Sequence, residues 1–361
     1  MLSPKAKRNL LGIIPFGLIW LVFSLVYTLL EKGLLGKLDY YPSTGNPYFF
    51  ERNIITMPLV SLITGFLIGI LEVLYFNRWF IKKSFTKKIL YKSCIYLVII
   101  LLFLLITFIG TSNGLTTAVG RTDLWHYAWA FFTNYSMLSV TIYIASIILV
   151  TQFYTEVSDS IGQAALRNFF LGKYHKPRQE ERIFMFLDMR SSTTIAEKLG
   201  HVIYFEMLKE YFSDLSGPVI DHGGEIYQYA GDEMIVSWKL KDGLKNSNCI
   251  RCFFAMKDSI ATRAEKYLER FGILPRFKAG FHHGMVTAGE IGILKKEIIF
   301  TGDVLNTAAR IQGLCNPLHV DILVSEVLLE KLNHDVFFQI RSLGQQELKG
   351  KGERMELFTV T

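Results

Sequence analysis

The first 150 residues alternate between long apolar runs and short polar stretches. Residues 10–30 carry no charge, residues 54–76 are interrupted only by Glu72, and two further runs cover 93–109 and 128–150. A helix needs about 20 apolar residues to cross about 30 Å of hydrocarbon. Each run therefore predicts a spanning helix, because four of them in succession would need a very large core to hide in. The first run is too long for the apolar stretch of a cleaved leader, and no small-residue cleavage pattern follows it.

From residue 151 the chain turns polar and helix-like, and 156–167 is expected to continue the fourth helix until Gly172 and Pro177 interrupt it. Beyond 181 the periods shorten. An apolar strand over 183–187 ends at Asp188, a helix covers 192–216, and strands over 225–229 and 234–238 are joined by the hairpin signal Ala230-Gly231-Asp232-Glu233. A helix over 248–271, a strand over 277–281, a helix over 303–313 and short strands over 321–324, 337–340 and 356–360 follow. Strand-helix-strand-strand-helix-strand predicts an α+β, ferredoxin-like layer. The expected organisation is a four-helix transmembrane anchor over 1–152, a helical linker over 153–181 and a soluble domain over 182–361.

Composition supports the division. Half of the 361 residues are apolar and only 20% are charged, which excludes a disordered chain and a small disulfide scaffold. The net charge of +7 admits nucleic acid or an anionic membrane, and the placement of the basic residues decides. Lys5, Lys7 and Arg8 precede the first run, and Arg78, Lys82, Lys83, Lys87 and Lys88 follow the second with no acid among them. The first loop mixes Lys32, Lys37 and Arg52 with Glu31, Asp39 and Glu51, and the third has Arg121 against Asp123. By the positive-inside rule both termini are expected in the cytoplasm, on a multi-pass protein of the cell (inner) membrane. The excess charge then reads as topology and contact with the lipid bilayer, and no nucleic-acid module is present.

Glu72 stands about one turn from the cytoplasmic end of its run, so its side chain is expected to snorkel. Asn134 and His126 read as interhelical or interfacial groups. Four cysteines fit a reducing cytosol. Cys249 and Cys252 form C-x-x-C without the second pair that zinc needs, so they read as thiols on a helix.

Chemistry concentrates in the second half. Asp188 ends a strand and Asp232 tips a hairpin; on one sheet edge the two carboxylates make a seat for Mg²⁺. Met189 to Thr193 opens a helix whose backbone N–H groups suit phosphates. Asn306 and Arg310, four apart, share a helix face. Lys349, Gly350, Lys351 and Gly352 form a basic turn.

Together these segments resemble the catalytic domain of the class III nucleotide cyclases, over about half of the chain. The matching pieces are Phe186-Leu187-Asp188-Met189-Arg190, Tyr229-Ala230-Gly231-Asp232, Gly280-Phe281-His282-His283-Gly284, the stretch from Gly302 to Arg310, and Leu348-Lys349-Gly350-Lys351. The resemblance implies two metal ions, Mg²⁺ or Mn²⁺, held by Asp188, Asp232 and the Met189 carbonyl. It implies that Asn306 orients the ribose, Arg310 stabilises the reacting phosphate and Lys349 contacts the triphosphate. Ser192 and Thr193 fall beside the substrate. It also implies a homodimer, with the aspartates from one protomer and Asn306, Arg310 and Lys349 from the other. The implied reaction converts ATP to 3′,5′-cyclic AMP and pyrophosphate.

Gln228 and Ile299 occupy the two purine-reading positions. Gln both donates and accepts, and Ile offers no hydrogen bond. Adenine is favoured by what is usual in the family, with GTP as the alternative substrate and a nucleotide-binding receptor without turnover as the other rival. Ser191 and Ser192 replace a usual Gly-Phe. The anchor is larger than tethering needs, which leaves room for an unidentified ligand or partner at the membrane.

Overall fold

The computed structural model describes residues 3–42, 47–80, 83–111, 129, 133, 135–332, 338–350, 352 and 354–361. Lys82, Arg121, Asp123, His126, Asn134, Phe337 and Lys351 lie outside the described residues. The chain forms two compact units, Lys7–Leu166 and, with the first few residues, Arg167–Thr361.

In the first unit, helices α1 (Pro4–Leu35), α2 (Phe50–Leu71), α3 (Phe85–Thr111) and α4 (Tyr135–Ile161) carry the four apolar runs. All four are long and apolar enough to cross a membrane, yet only 17–22% of each apolar window is buried. Leu18, Val22, Ile55, Phe103 and Ile142 point outward. A water-soluble bundle would hide them, and the exposed apolar surface is compatible with a hydrocarbon surround. Where α1 and α2 touch, small residues let the backbones approach. A Cβ at Gly65 would lie 2.7 Å from the Phe16 carbonyl oxygen, and one at Gly69 would meet the Phe16 ring at 3.0 Å.

The snorkelling expectation for Glu72 is overturned. Its side chain is fully buried, at the start of a π-helical turn, Glu72–Phe76, that extends α2. Lys92 of α3 places its ammonium 2.5 Å from Glu72 Oε1 and 2.9 Å from Glu156 Oε1 of α4. Tyr96 donates to Glu72 Oε2 at 2.8 Å, and Lys88 lies 3.3 Å from Glu156 Oε2. The reason is pairing: in hydrocarbon a lone carboxylate must reach water, whereas one neutralised by a buried ammonium does not. The run boundaries concealed this, because the third apolar run begins one residue after Lys92 and Glu156 falls in the polar stretch beyond the fourth. The linker also differs from expectation. Gly162, at φ 99°, ends α4 ten residues before Gly172, and a separate α5 (Gln163–Phe170) follows.

The second unit is one mixed eight-stranded sheet, ordered β2-β3-β1-β4-β6-β8-β7 with β5 against β4. The strands are β1 (Arg178–Met189), β2 (Glu225–Ala230), β3 (Glu233–Lys239), β4 (Phe277–Ile291), β5 (Glu297–Thr301), β6 (Ile322–Ser325), β7 (Ile340–Glu347) and β8 (Arg354–Val360). Strands β1 and β4 lie antiparallel at its centre, and the β2–β3 hairpin is where the sequence puts it. Odd positions of β1 (Ile183, Met185, Leu187, Met189) enter one core beneath α7 (His201–Asp221) and α8 (Asn248–Thr262). Even positions Phe184 and Phe186 enter a second core beneath α10 (Asp303–Gly313). Burial on both faces explains why 183–187 reads as a continuous apolar run.

Four boundaries differ from the sequence reading. The helix expected over 192–216 is two, α6 (Ser192–Leu199) and α7, split at Gly200 with φ 73°. The helix over 248–271 breaks at Arg263 into α8 and α9 (Ala264–Phe271). Strand β4 runs ten residues past Phe281, because β5, unforeseen in sequence, pairs with its second half. The strand expected over 337–340 begins where that range ends, at Ile340.

Helix α10 rests almost on the sheet backbone. A Cβ at Gly280 would lie 2.3 Å from the Gln312 nitrogen and 2.7 Å from the Ala308 oxygen. Gly280→Ala is therefore expected to lower unfolding stability by about 1–3 kcal/mol, read from denaturant unfolding of the purified protein. In the first unit, Lys92→Met strands Glu72 without its ammonium and is expected to cost about 3–5 kcal/mol. The comparison is with the exposed Lys87→Met, which is expected to leave the melting temperature in detergent where it was.

Candidate active site

Asp188 is an even position of β1, so its carboxylate lies on the α10 face with Phe184 and Phe186. The register sets Glu233 of β3 opposite it on one side and Lys278 of β4 on the other. Lys278, itself nearly buried, places Nζ 3.2 Å from Asp188 Oδ2, and Gln312 of α10 donates Nε2 to the same oxygen at 3.0 Å. Asp232, at the hairpin tip, comes within hydrogen-bonding reach of Asp188 and of Ser192, the first residue of α6. Its Oδ2 is buried with no hydrogen-bond partner.

Three carboxylates thus crowd one end of the sheet. Burial, and then the hydrogen bond and charge from Asp188, raise the Asp232 carboxyl above its ordinary range in spite of the Ser192 bond. Burial, followed by the charges of Asp188 and Asp232, pushes Glu233 up to about 7. Such a group of acids is stable only when protonated or when a cation neutralises it. Among the described residues no three His, Cys, Asp or Glu side chains converge as ligands. The acids that a cation would neutralise here are the paired aspartates, Asp188 and Asp232. That suits Mg²⁺ or Mn²⁺, which keep waters and phosphate oxygens in the other positions. The Met189 side chain is spent in the core at 2% exposure.

The remaining predicted residues do not gather around Asp188 within the chain. Val304, Ala308 and Gln312 recur every four residues along the buried stripe of α10. Asn306 and Arg310 each lie about 160° around the helix from Ala308, the middle of that stripe, at about 100° per residue. Asn306 is exposed and Arg310 half-buried. The guanidinium of Arg310 lies beside the turn at Gly350, next to the exposed Lys349, so these two come together. Gln228 is exposed on β2, next to the bulge at Tyr227, and Ile299 pairs with Gly289 on the β4–β5 ribbon. Thr193 is exposed in the first turn of α6. Ser191, where the resemblance implies Gly, adopts the left-handed φ of 56° that Gly takes without strain.

The family model for the adenylate and guanylate cyclase catalytic domain matches residues 174–361. The chain belongs to this family. The chain is 35% identical over 209 residues to adenylate cyclase 2 of Rhizobium meliloti, covering 58% of each chain. It is 29% identical over 188 residues to adenylate cyclase 1 of the same organism, covering 50% of this chain and 28% of that one. The match therefore spans little more than half of the first relative and under a third of the second. A bacterial light-regulated adenylyl cyclase shares its fold, at TM-score 0.51 and 22% identity over 60% of this chain and 65% of that one.

Sequence reasoning missed Lys278, Gln312 and Glu233. The first had a signal, a lone cation inside the apolar strand Phe277-Lys278-Ala279-Gly280-Phe281. The C-x-x-C pair is inert in the cyclase domain. Cys249 and Cys252 are fully buried in α8, and burial pushes the Cys249 thiol up to about 12 and raises the Cys252 thiol as well. Cys315 is likewise raised to about 12 by burial. Since the thiolate is the nucleophile, all three are expected to resist maleimide at pH 7.5 in the folded protein and to react fully in denaturant, as read by intact mass.

Proposed function

We propose that this chain is a membrane-anchored adenylate cyclase, converting ATP to 3′,5′-cyclic AMP and pyrophosphate as a homodimer. The observation that carries the reading is the split on α10. One face of the helix holds Asp188 through Gln312, and the opposite face presents Asn306 and Arg310, pointing away from their own aspartates. The parts of one centre are complete only when a second copy supplies the missing face, and a two-fold dimer then has two equivalent centres.

Asp188, Asp232 and the Met189 carbonyl hold the divalent cations. Bound Mg²⁺ or Mn²⁺ supplies Lewis-acid stabilisation of the phosphate oxygens and lowers the pKa of the attacking hydroxyl. The chain's own groups do the positioning. Asn306 fixes the ribose so that its 3′-oxygen is in line with the α-phosphorus. Arg310, with its planar fork of donors, neutralises charge growing on that phosphate as the new P–O bond forms. Lys349, in the turn beside Arg310, attracts the triphosphate tail, where the bond to the β-phosphate breaks and pyrophosphate departs. The first turn of α6, with Ser192 and Thr193, offers backbone N–H groups to phosphate oxygens.

Adenine is assigned on the names of the relatives, both called adenylate cyclases. Gln228 serves either purine, and Ile299 adds only apolar contact, so discrimination against GTP is expected to be weak. Residues 1–152 serve as the anchor and 153–181 as the link. Both termini lie in the cytoplasm, where Lys5, Lys7, Arg8, Lys83, Lys87 and Lys88 meet the lipid surface.

The test is turnover of ATP and of GTP by the full chain with Mg²⁺ or Mn²⁺. Cyclic AMP is expected to predominate, and predominant cyclic GMP overturns the purine assignment. Asp188→Asn and Arg310→Ala are each expected to be inactive. Co-expressed, they should regain about a quarter of wild-type turnover, since half of the random dimers carry one intact centre out of two. No regain at all overturns the shared centre.

A further inference from the structure

Gln312 has no place in the chemistry above, yet it is the point where both halves of the machinery meet. Its carboxamide donates to Asp188 Oδ2 at 3.0 Å, and Lys278 Nζ lies 3.2 Å from that same oxygen. A carboxylate oxygen has two lone pairs, so this pair of donors saturates Oδ2 and reserves Oδ1 of Asp188 for a metal. Gln312 is 7% exposed, and its backbone nitrogen is the atom that comes closest to the missing side chain of Gly280. Its backbone is therefore tied to the packing of α10 on β4 while its side chain holds Asp188. Two residues earlier on that helix stands Arg310, which serves the other centre of the dimer.

We propose that Gln312 is a positioning residue that couples the two centres of the dimer: it orients the metal-binding Asp188 of one centre and, through the rotation of α10, the Asn306 and Arg310 delivered to the other. The proposal rests on the shared-centre reading above. A cation drawn to Asp188 pulls on Gln312, and Gln312 turns the helix that carries its neighbour's phosphate ligand. Interfaces packed this closely pass on small displacements instead of absorbing them.

Two measurements on the full-length protein in detergent test this. The first uses Mn²⁺ alone, without nucleotide, followed by electron paramagnetic resonance. Gln312→Met keeps the shape and loses the donor, and Gln312→Asn keeps the amide but withdraws it by one methylene. Both are expected to raise the Mn²⁺ dissociation constant about tenfold or more while the melting temperature stays near wild type. Should Gln312→Met fold poorly, Gln312→Asn alone decides the point. An unchanged dissociation constant in a folded variant overturns the proposal.

The second uses the mixed dimer of Asp188→Asn and Arg310→Ala chains, in which the single live centre takes Asp188 from the Arg310→Ala chain and Arg310 from the Asp188→Asn chain. Gln312→Asn on the Arg310→Ala chain is expected to raise the metal concentration needed for half-maximal rate. On the Asp188→Asn chain it is expected to lower kcat several-fold at saturating metal without moving that requirement. If the second placement has no effect, Gln312 acts only within its own centre and the coupling is wrong. If the mixed dimer without any Gln312 change is inactive, the shared-centre reading has failed instead, and the coupling falls with it.

Discussion

The seat of α10 on β4 is the contact on which the rest of the cyclase domain depends. At Gly280 there is no room for even one carbon between helix and strand, and at Gly284 a Cβ would meet Val304 Cγ2 at 2.7 Å. Two glycines four apart on a strand face the same side, and Val304, Ala308 and Gln312 come down onto them at helical spacing. This sets the resting rotation of α10 about its axis. With the buried stripe pinned, Asn306 and Arg310 have no direction left except away from the sheet. The separation of Asn306 and Arg310 from the aspartates of their own chain is thus a consequence of packing.

The same contact brings the electrostatics into balance. Asp188, Asp232 and Glu233 are drawn to one sheet end by strand register and by a two-strand hairpin, an arrangement that like charges oppose. Lys278 and Gln312 meet Asp188 from the strand and the helix, whereas Asp232 is left with an unsatisfied oxygen. Desolvation prevails over hydrogen bonding at Asp232 and raises its carboxyl. The hairpin acid is left to be balanced by a proton or a cation, while the strand acid is anchored by two donors.

The membrane unit solves its packing by related means. Gly65 and Gly69 admit α1 as Gly280 admits α10, by having no side chain where two backbones meet. One polar cluster lies within it, in which Lys92 bridges Glu72 and Glu156 while Asn77 donates to Asp159 at 2.7 Å. With little hydrophobic force between helices in lipid, close contact and polar pairing are what hold such a bundle together.

Periodicity made the elements legible, and composition made the two halves legible. The four runs, the β2–β3 hairpin, the helix over 303–313 and the candidate residues Asp188, Asp232, Asn306 and Arg310 all stood in the sequence. Breaks were harder, because Gly162 and Gly200 end helices through a left-handed backbone that no hydrophobic pattern records. Partnerships were hardest, since they join distant segments: Glu156 lies 64 residues from Lys92, and Gln312 lies 124 from Asp188.

One signal for these partnerships was nevertheless present. Lys92, Arg182 and Lys278 are cations set directly against apolar segments, where an uncompensated charge would cost several kcal/mol. Each is buried and each is met by acids: Lys92 by Glu72 and Glu156, Arg182 by Glu180 at 3.0 Å and Glu225 at 3.1 Å, and Lys278 by Asp188. A buried cation cannot stand alone, so its presence in an apolar stretch demands an acid from elsewhere. In the cyclase domain the acid that answers Lys278 is Asp188, and that ties the candidate carboxylate to the structural core.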